Sequence, residues 1–427
     1  MEEHLSSTDR LAAGLRALPD TAKVFSFTQA AWRFYHNPRV TLSRLARPLV
    51  AAGHEAVAQK CDAFVLVVHD WSNLHYNDHA SKTDRVELSQ SKDLGYELQA
   101  AVLVSDRSGD PLSAISLSLR AADGVHCSRQ AGLRQPLSPL DELAPVMEYV
   151  ERQKMGVSAV HVIDSEADSV GHYREWIKHP GRYFLVRADT ERVAEYEGQQ
   201  CGFALIRQKL HENEAFHKAR EVSYHGQSAW QWVAETKVVL TNPARPQRRD
   251  GQSRKSIPGP PVPLRLVISE VRNASGEILA VWFLLTNVPD TVVAETVALW
   301  YYWRWRIESY FKLLKSAGQQ LEHWQQENAD ALAKRLLVVS MACVIVWTLM
   351  HNTTPQAAEV RQVLVRLSGR QMKRSNPYTA PAILAGMWVL LTVLYVLENY
   401  QIPELHRIAD ILFPNTRAGP YNSGKDV

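Results

Sequence analysis

Residues 64–70 read FVLVVHD, a run of apolar residues that ends on an acid. A continuous apolar run of this length is typical of a strand that is buried on both faces. Residues 159–163, AVHVI, form a second such run, and Asp164 follows it directly. The two segments therefore predict two buried strands that each end in a carboxylate, Asp70 in the first and Asp164 in the second.

The chain between these strands predicts a hairpin and a helix. Residues 98–104 and 112–119 read as strands joined by the turn SDRSGDP. Ser138 caps a helix that we expect to run to about Gln153, with a capping box completed three residues after the serine. The order of strand, hairpin, helix and strand is similar to the start of a ribonuclease-H-like domain, an α/β fold with a mixed sheet and helices on its faces.

The segments on either side are less specific. Residues 1–60 predict helices, one over 29–35 and one capped by Thr41, with several arginines along them. Such a region either binds DNA ends or forms a helical cap on the next domain. Residues 168–288 predict strands at 183–187, 264–271 and 278–286, and we expect a β-rich insertion domain there.

A basic loop lies within the insertion, over residues 243–261. Its sequence, PARPQRRDGQSRKSIPGPP, combines positive charge with proline and glycine. Such a loop either contacts the phosphate backbone of DNA or is solvated surface. The arginines concerned are Arg245, Arg248, Arg249 and Arg254.

Residues 301–315 read YYWRWRIESYFKLLK, within a helix expected from about residue 291 to 317. At about 100° per residue, four positions fall within roughly 60° of one another on such a helix. One face then carries the phenol of Tyr301, the guanidinium of Arg304, the carboxylate of Glu308 and the ammonium of Lys315. A surface helix stabilised by ordinary salt bridges would instead alternate Glu and Lys at short intervals.

The pattern Y-x2-R-x3-E-x6-K resembles the signature of the IS-four family of bacterial insertion-sequence DDE transposases. Residues 67–76, VVHDWSNLHY, and 161–168, HVIDSEAD, resemble the segments around the first and second catalytic Asp of that family. The resemblance extends from about residue 28 to residue 350.

This resemblance implies a metal-dependent enzyme that excises its mobile element through a DNA hairpin and inserts it into target DNA. The catalytic acids and metal ligands would be Asp70, Asp164 and Glu308, holding two Mg2+ ions for which Mn2+ can substitute. Tyr301, Arg304 and Lys315 would bind phosphate, and Trp282 would either stack on a flipped base or pack in the core. An internal ion pair of Arg304 and Lys315 with Glu308 is the alternative to phosphate binding.

The resemblance also implies partners: double-stranded DNA, both element ends and target, and a second subunit in a synaptic homodimer. Two other functions stay open, a catalytically inactive DNA-binding inhibitor of transposition and another ribonuclease-H-like nuclease. Strand-transfer products in a Mg2+ assay would separate the three.

Composition sets the remaining limits. The net charge of +3 is too small to indicate nucleic acid by itself. The four cysteines lack zinc-ligand spacing and are expected to be reduced, as in a cytoplasmic, nucleoid-associated bacterial protein. The apolar runs at 336–350 and 380–397 are interpreted as buried helices rather than membrane spans. The expected domains are a DNA-end-binding region at 1–60, the catalytic domain at 61–167 and 289–350, the insertion at 168–288, and a helical C-terminal region at 351–427 that pairs subunits.

Overall fold

The computed structural model describes residues 21–89, 92–136, 138–244, 255–315, 317–374 and 376–412. Contacts within the chain define two compact units. The larger unit is Arg33–His351, and the smaller unit combines the N-terminal segment with the residues after His351.

The larger unit is built on one mixed sheet, in the order β5-β4-β3-β1-β6-β7-β13-β12-β11-β8-β9. Strands β2 and β10 pair off this path with β3 and β11. The strands are β1 Phe64–His75, β2 Val86–Glu87, β3 Leu94–Ser105, β4 Pro111–Ala121, β5 Gly124–Cys127, β6 Ser158–Ile163, β7 Tyr183–Arg187, β8 Val193–Tyr196, β9 Gln199–Gly202, β10 His217–Tyr224, β11 Gln227–Leu240, β12 Val262–Arg272 and β13 Ile278–Thr286.

Strand β1 lies between an antiparallel and a parallel neighbour. The predicted hairpin is confirmed: β3 and β4 pair antiparallel, and β3 pairs antiparallel with β1. On the other side β6 and then β7 run parallel to β1. This large mixed sheet is compatible with a ribonuclease-H-like domain. The strands from β8 to β13 continue the same sheet.

Helices cover both faces of the sheet. They are α2 Leu42–Leu45, α3 Arg47–Lys60, α4 Leu143–Gln153, α5 Val170–Trp176, α6 Phe203–Glu212, α7 Ala294–Tyr302, α8 Arg306–Leu314 and α9 Ala329–His351; α1, Thr21–His36, precedes them and belongs mostly to the smaller unit. On one face, α3 and α4 bury Val57, Val146 and Val150 against Val65 and Val67 of β1. The predicted capping box at Ser138 is confirmed, although its first turn, Pro139–Glu142, is a 3-10 helix that precedes α4.

Two elements differ from the sequence prediction near the acids. Strand β1 does not end at Asp70 but continues to His75 through pairing with β3. The helix expected from 291 to 317 is broken by a 3-10 turn at Trp303–Trp305, between α7 and α8. Tertiary contacts hold this turn: Gly109, in the left-handed region at φ 70°, lies against the ring of Trp303, and Arg306 donates to the Gly109 carbonyl.

The smaller unit contains the helices α10 Pro355–Leu367, α11 Ala380–Asn399 and α12 Ile402–Leu412. α10 and α11 approach closely at Gly386, where an added Cβ would lie 1.9 Å from the Leu364 carbonyl oxygen. Two helices in the described chain, α9 and α11, are long and apolar enough to cross a membrane by length and composition. Most of the apolar window of α9, 67%, is buried, against 33% for α11.

Candidate active site

Strand register brings the two aspartates together. β1 and β6 pair in parallel from Phe64 with Ser158 to Val68 with Val162. The offset is constant, so Asp70 and Asp164 occupy equivalent positions two residues beyond the last pair. Their carboxylates are partly exposed, and each accepts a hydrogen bond from the next backbone N–H.

Arg304 lies between the acids. Its NH1 is 3.0 Å from Asp70 Oδ2, and its NH2 is 2.9 Å from Asp164 Oδ2. Glu308, one turn further along, is 3.8 Å from the same NH2. Three carboxylates from β1, the end of β6 and α8 therefore gather around one guanidinium that is only 5% exposed. The ion pair expected as an alternative for Arg304 is present, and it is closer to the two aspartates than to Glu308.

Two more groups contact Asp164. The buried phenol of Tyr301 donates to Oδ1 over 3.2 Å, and Arg187 Nε lies 2.8 Å from the same oxygen. Sequence reasoning did not identify Arg187. Val186 pairs with Ile163 on the neighbouring strand, so the next residue on each strand, Arg187 and Asp164, must be adjacent. The sequence does not reveal this register.

The electrostatics follow from partial burial of like charges. Burial raises the pKa of Asp70 against the opposing influence of Arg304, and burial also raises the pKa of Glu308. Burial alone would lower the pKa of Arg304, but Tyr301 and the two aspartates outweigh it and raise that pKa. Three carboxylates thus face two guanidinium groups, and the local excess of negative charge favours a further cation.

Lys315 lies at the edge of this cluster. It caps the end of α8, donates through Nζ to the Asn73 carbonyl of β1 and is 3.4 Å from Glu322. The pairing with Glu308 that was the alternative for Lys315 is replaced by this contact with Glu322. The ammonium is thus held beside the part of β1 beyond Asp70.

Trp282 lies on the other side of the cluster. Its ring centroid is 6.1 Å from that of Tyr301, and it packs half-buried against Val222, Ala229 and Val271. The side chain is therefore neither a fully buried core residue nor fully free. The basic-loop residues Arg245, Arg248, Arg249 and Arg254 lie outside the described residues.

The other acids near Asp164 differ in role. Asp168 is buried and structural, because it accepts from the Tyr173 hydroxyl, the Asp189 backbone N–H and Arg192. Glu166 is exposed over much of its surface, but its carboxyl is partly buried, and this burial together with the charges of Asp70 and Asp164 raises its pKa. Glu166 thus lies close enough to the cluster to experience its field.

The donor set fits a divalent metal ion in its chemistry. Carboxylate oxygens are the ligands that Mg2+ prefers, and here three of them already surround one cation. In the part of the chain that the structure describes, no three His, Cys, Asp or Glu side chains approach closely enough to hold a metal directly. The guanidinium of Arg304 lies between them, so a metal bound by all three carboxylates requires Arg304 to move.

One comparison with known families finds a match that overlaps this site. Residues 140–345 match the family model of the transposase DDE domain. The matched stretch contains Asp164, Tyr301, Arg304 and Glu308, while Asp70 precedes it. No curated protein matches the chain. The match supports a DDE transposase, a family whose members bind DNA and generally use divalent metals.

Proposed function

We propose that the chain is a cut-and-paste DNA transposase that excises its own mobile element by Mg2+-dependent phosphoryl transfer and inserts it into target DNA. The observation that carries the proposal is the convergence of Asp70, Asp164 and Glu308 from three separate elements on one cation. A structural ion pair would need one carboxylate, and the additional ones leave negative charge for metal ions.

Asp70, Asp164 and Glu308 would hold the metal. When bound there, two Mg2+ ions would supply an activated water or 3′-hydroxyl and would stabilise the leaving oxygen of a phosphodiester. Mn2+ has the same preference for oxygen ligands and should substitute. The basic residues beside the acids would hold the DNA phosphate in one position and balance its negative charge.

Arg304 and Lys315 would bind the phosphate next to the cut, Arg304 through its planar fork and Lys315 as a point charge. Arg304 then has two positions, one on the carboxylates and one on the phosphate. Tyr301 donates from the same wall, and Arg187 can stay on Asp164 while Arg304 turns away. DNA phosphate would thus replace the carboxylates as the partner of Arg304, and the metal would replace Arg304 as the partner of the carboxylates.

Trp282 would stack on a base that leaves the duplex when a hairpin forms at the cleaved end. Stacking on an aromatic face contributes about 1–3 kcal/mol, comparable with the cost of flipping one base. Its support is the half-buried ring beside Tyr301.

Trp282→Ala should slow hairpin formation far more than first-strand nicking, and an abasic nucleotide at the flipped position should partly restore the rate. Gel analysis of nicked and hairpin products measures both steps. Phe283→Leu is the matched control, because Phe283 packs on the opposite face against Phe203. Equal slowing of both steps by Trp282→Ala, without abasic rescue, would assign the ring to packing alone.

A second subunit would be recruited through the smaller unit, whose helices expose apolar side chains that a solvated surface does not need. They are Val393, Leu394 and Leu397 on α11 and Ile402, Ile408 and Ile411 on α12. Leu394→Glu with Leu397→Glu should keep binding to one DNA end and lose complexes that hold two ends. Native gels resolve the two species, and retention of paired-end complexes would place the dimer contact elsewhere.

The proposal is tested with a linear DNA that carries the flanking ends of the element, a target plasmid and Mg2+. A transposase yields excised element and joined product, a different nuclease yields cleavage without joining, and an inactive inhibitor yields bound DNA alone. The site of action would be the bacterial cytoplasm, where the nucleoid lies. In a gel-shift titration at several salt concentrations, alanine at Arg245, Arg248, Arg249 and Arg254 should weaken DNA binding and lower its salt dependence, by about 0.9 in the slope of log K against log[salt] for each arginine that binds a phosphate.

A further inference from the structure

A cavity of about 190 Å³ lies at the end of α4, on the face of β6 opposite Asp164. Its walls are the end of α4, the turn into β6, the first residues of β6 and the pair Gly181-Arg182 before β7. Pockets for drug-sized ligands measure roughly 300–1,000 Å³. This smaller space, called the α4 cavity below, suits a small ion and a few water molecules.

Two deeply buried side chains line the α4 cavity with polar atoms that have no partner. His161 is 1% exposed and Arg182 is 2% exposed. Within the described residues, His161 Nε2 and Arg182 NH1 bond to nothing, while Nε and NH2 of Arg182 bind Glu151 at 2.6 and 2.9 Å. Buried polar groups are almost always satisfied, so these two atoms indicate a bound species.

The chemistry of that species follows from the donors. The guanidinium is always charged, so NH1 can only donate. His161 Nδ1 lies 2.9 Å from His69 Nε2. A bound anion would select the tautomer in which His69 donates to Nδ1, because His161 Nε2 then donates into the cavity. Lys154, exposed at the rim in the left-handed region, adds a third donor and a positive charge.

An anion is therefore the complementary ligand. Arg182 and Lys154 carry two positive charges, and Glu151 supplies one negative charge. Glu151 binds two of the three guanidinium nitrogens of Arg182 and leaves the third for a ligand. Both buried donors are recessed, which favours a free anion over a phosphodiester that continues on two sides. Ordered water could also satisfy such atoms, but water would not respond to a change in the charge of the cavity.

We propose that the α4 cavity is a binding site for a small oxyanion of the phosphate type, held by Arg182, His161 and Lys154. The site is separate from the three carboxylates and does not depend on the proposed transposase activity.

Titration calorimetry of the full-length protein with inorganic phosphate, in chloride buffer without divalent metal, tests the proposal. We expect one phosphate per chain. Glu151→Gln should tighten binding, by roughly tenfold, because it removes the negative charge that competes for Arg182. Arg182→Gln should abolish saturable binding. Lys154→Asn should weaken binding by roughly threefold, and asparagine tolerates the left-handed backbone at this position.

Arg304→Gln separates this site from the phosphate-binding residues near the acids and should leave the affinity unchanged. Glu151→Gln keeps an amide oxygen that can accept from Arg182, and circular dichroism of each variant shows that a change in phosphate affinity is measured on folded protein. No saturable binding, loss of binding in Arg304→Gln, or an unchanged affinity in Glu151→Gln would each overturn the proposal. Competition by a short DNA duplex for the same phosphate would overturn the assignment to a free anion.

Discussion

Strands β1 and β6 carry opposite chemistry on their two faces, although the residues concerned are neighbours in sequence. Asp70 and Asp164 lie on one face in a partly exposed cluster of charges with Arg304. His69 and His161 lie on the other face, fully buried, and bond to each other at 2.9 Å. Burial lowers the pKa of His69 to about 3 and that of His161 well below its ordinary value, so both rings are neutral.

The difference follows from strand alternation. Successive residues on a strand point to opposite faces, so an odd number of steps, one from His69 to Asp70 and three from His161 to Asp164, separates the charged site from the neutral imidazoles. The acids need solvent and cations nearby. The imidazoles instead pack in the interior as apolar side chains do, although each ring also buries polar nitrogen atoms. This comparison predicts that changes on the acidic face alter metal binding and chemistry, while changes on the histidine face alter stability.

The largest effect is expected on the acidic face. Asp70→Asn, Asp164→Asn and Glu308→Gln should each reduce cleavage by at least about a thousandfold, since metal ions supply several kcal/mol of transition-state stabilisation. DNA-end binding should stay close to that of the unmodified protein. Single-turnover cleavage and gel-shift titration measure the two quantities, and a variant that cuts at the original rate would remove that residue from the metal site.

Arg304 should compete with metal. Arg304→Gln removes the cation between the acids, so Mn2+ binding without DNA should tighten, by at least about tenfold, because the repulsion between two nearby cations is lost. Calorimetry gives the affinity. Arg152→Gln is the matched control, because it removes the same charge from an exposed arginine of α4 that pairs with Glu148. A weaker Mn2+ affinity in Arg304→Gln would mean that Arg304 positions the carboxylates rather than competing with metal.

Mn2+ affinity should fall as the pH is lowered, because protons compete with the metal for the carboxylates. Burial raises the pKa of Asp70 and Glu308, so protons should displace Mn2+ at a pH above that of a free carboxylate, about 4. The stability of the metal-free protein should depend on pH in the opposite direction. The folded state binds more protons than the unfolded state, because the pKa of each carboxyl is higher in the folded state. The contribution of these groups to the free energy of unfolding therefore decreases as pH rises through their folded pKa. Mn2+ affinity and urea unfolding between pH 4 and about 7 measure both, and a proton competition at or below pH 4 would contradict the burial argument.

The smallest effect on metal is expected from the histidine face. His69→Leu leaves His161 Nδ1 buried without its partner and should reduce the free energy of unfolding by about 1–3 kcal/mol. The double variant with His161→Leu should regain part of this loss. Mn2+ affinity should change by no more than about twofold. A large change in Mn2+ affinity with unchanged stability would show that the two faces are coupled.

The sequence allowed much of this site to be predicted, because local patterns determine it. Two apolar runs ending in acids gave the neighbouring strands β1 and β6, and register then places Asp70 beside Asp164. The spacing from Tyr301 to Glu308 gave the third element. These patterns depend on the period of two residues in a strand and of about 3.6 residues in a helix. Both periods are local properties of the backbone and can be recognised without knowing any distant contact.

Other features depend on contacts distant in sequence and could not be read in this way. The break at Trp303–Trp305 follows from Gly109 in a hairpin almost two hundred residues earlier, and the position of Arg187 follows from the pairing of β6 with β7. Strand β10, HKAREVSY, was missed because most of its side chains are exposed or half-exposed and leave no apolar pattern.

The central claim, that Asp70, Asp164 and Glu308 hold the catalytic metal, is tested most directly by Mn2+ binding to the DNA-bound protein, followed by electron paramagnetic resonance. We expect two bound ions, and a loss of at least one in each of Asp70→Asn, Asp164→Asn and Glu308→Gln. As a control, Glu148→Gln, which changes an exposed acid of α4 that pairs with Arg152, should leave both ions bound. Full Mn2+ occupancy in all three acid variants would contradict the account.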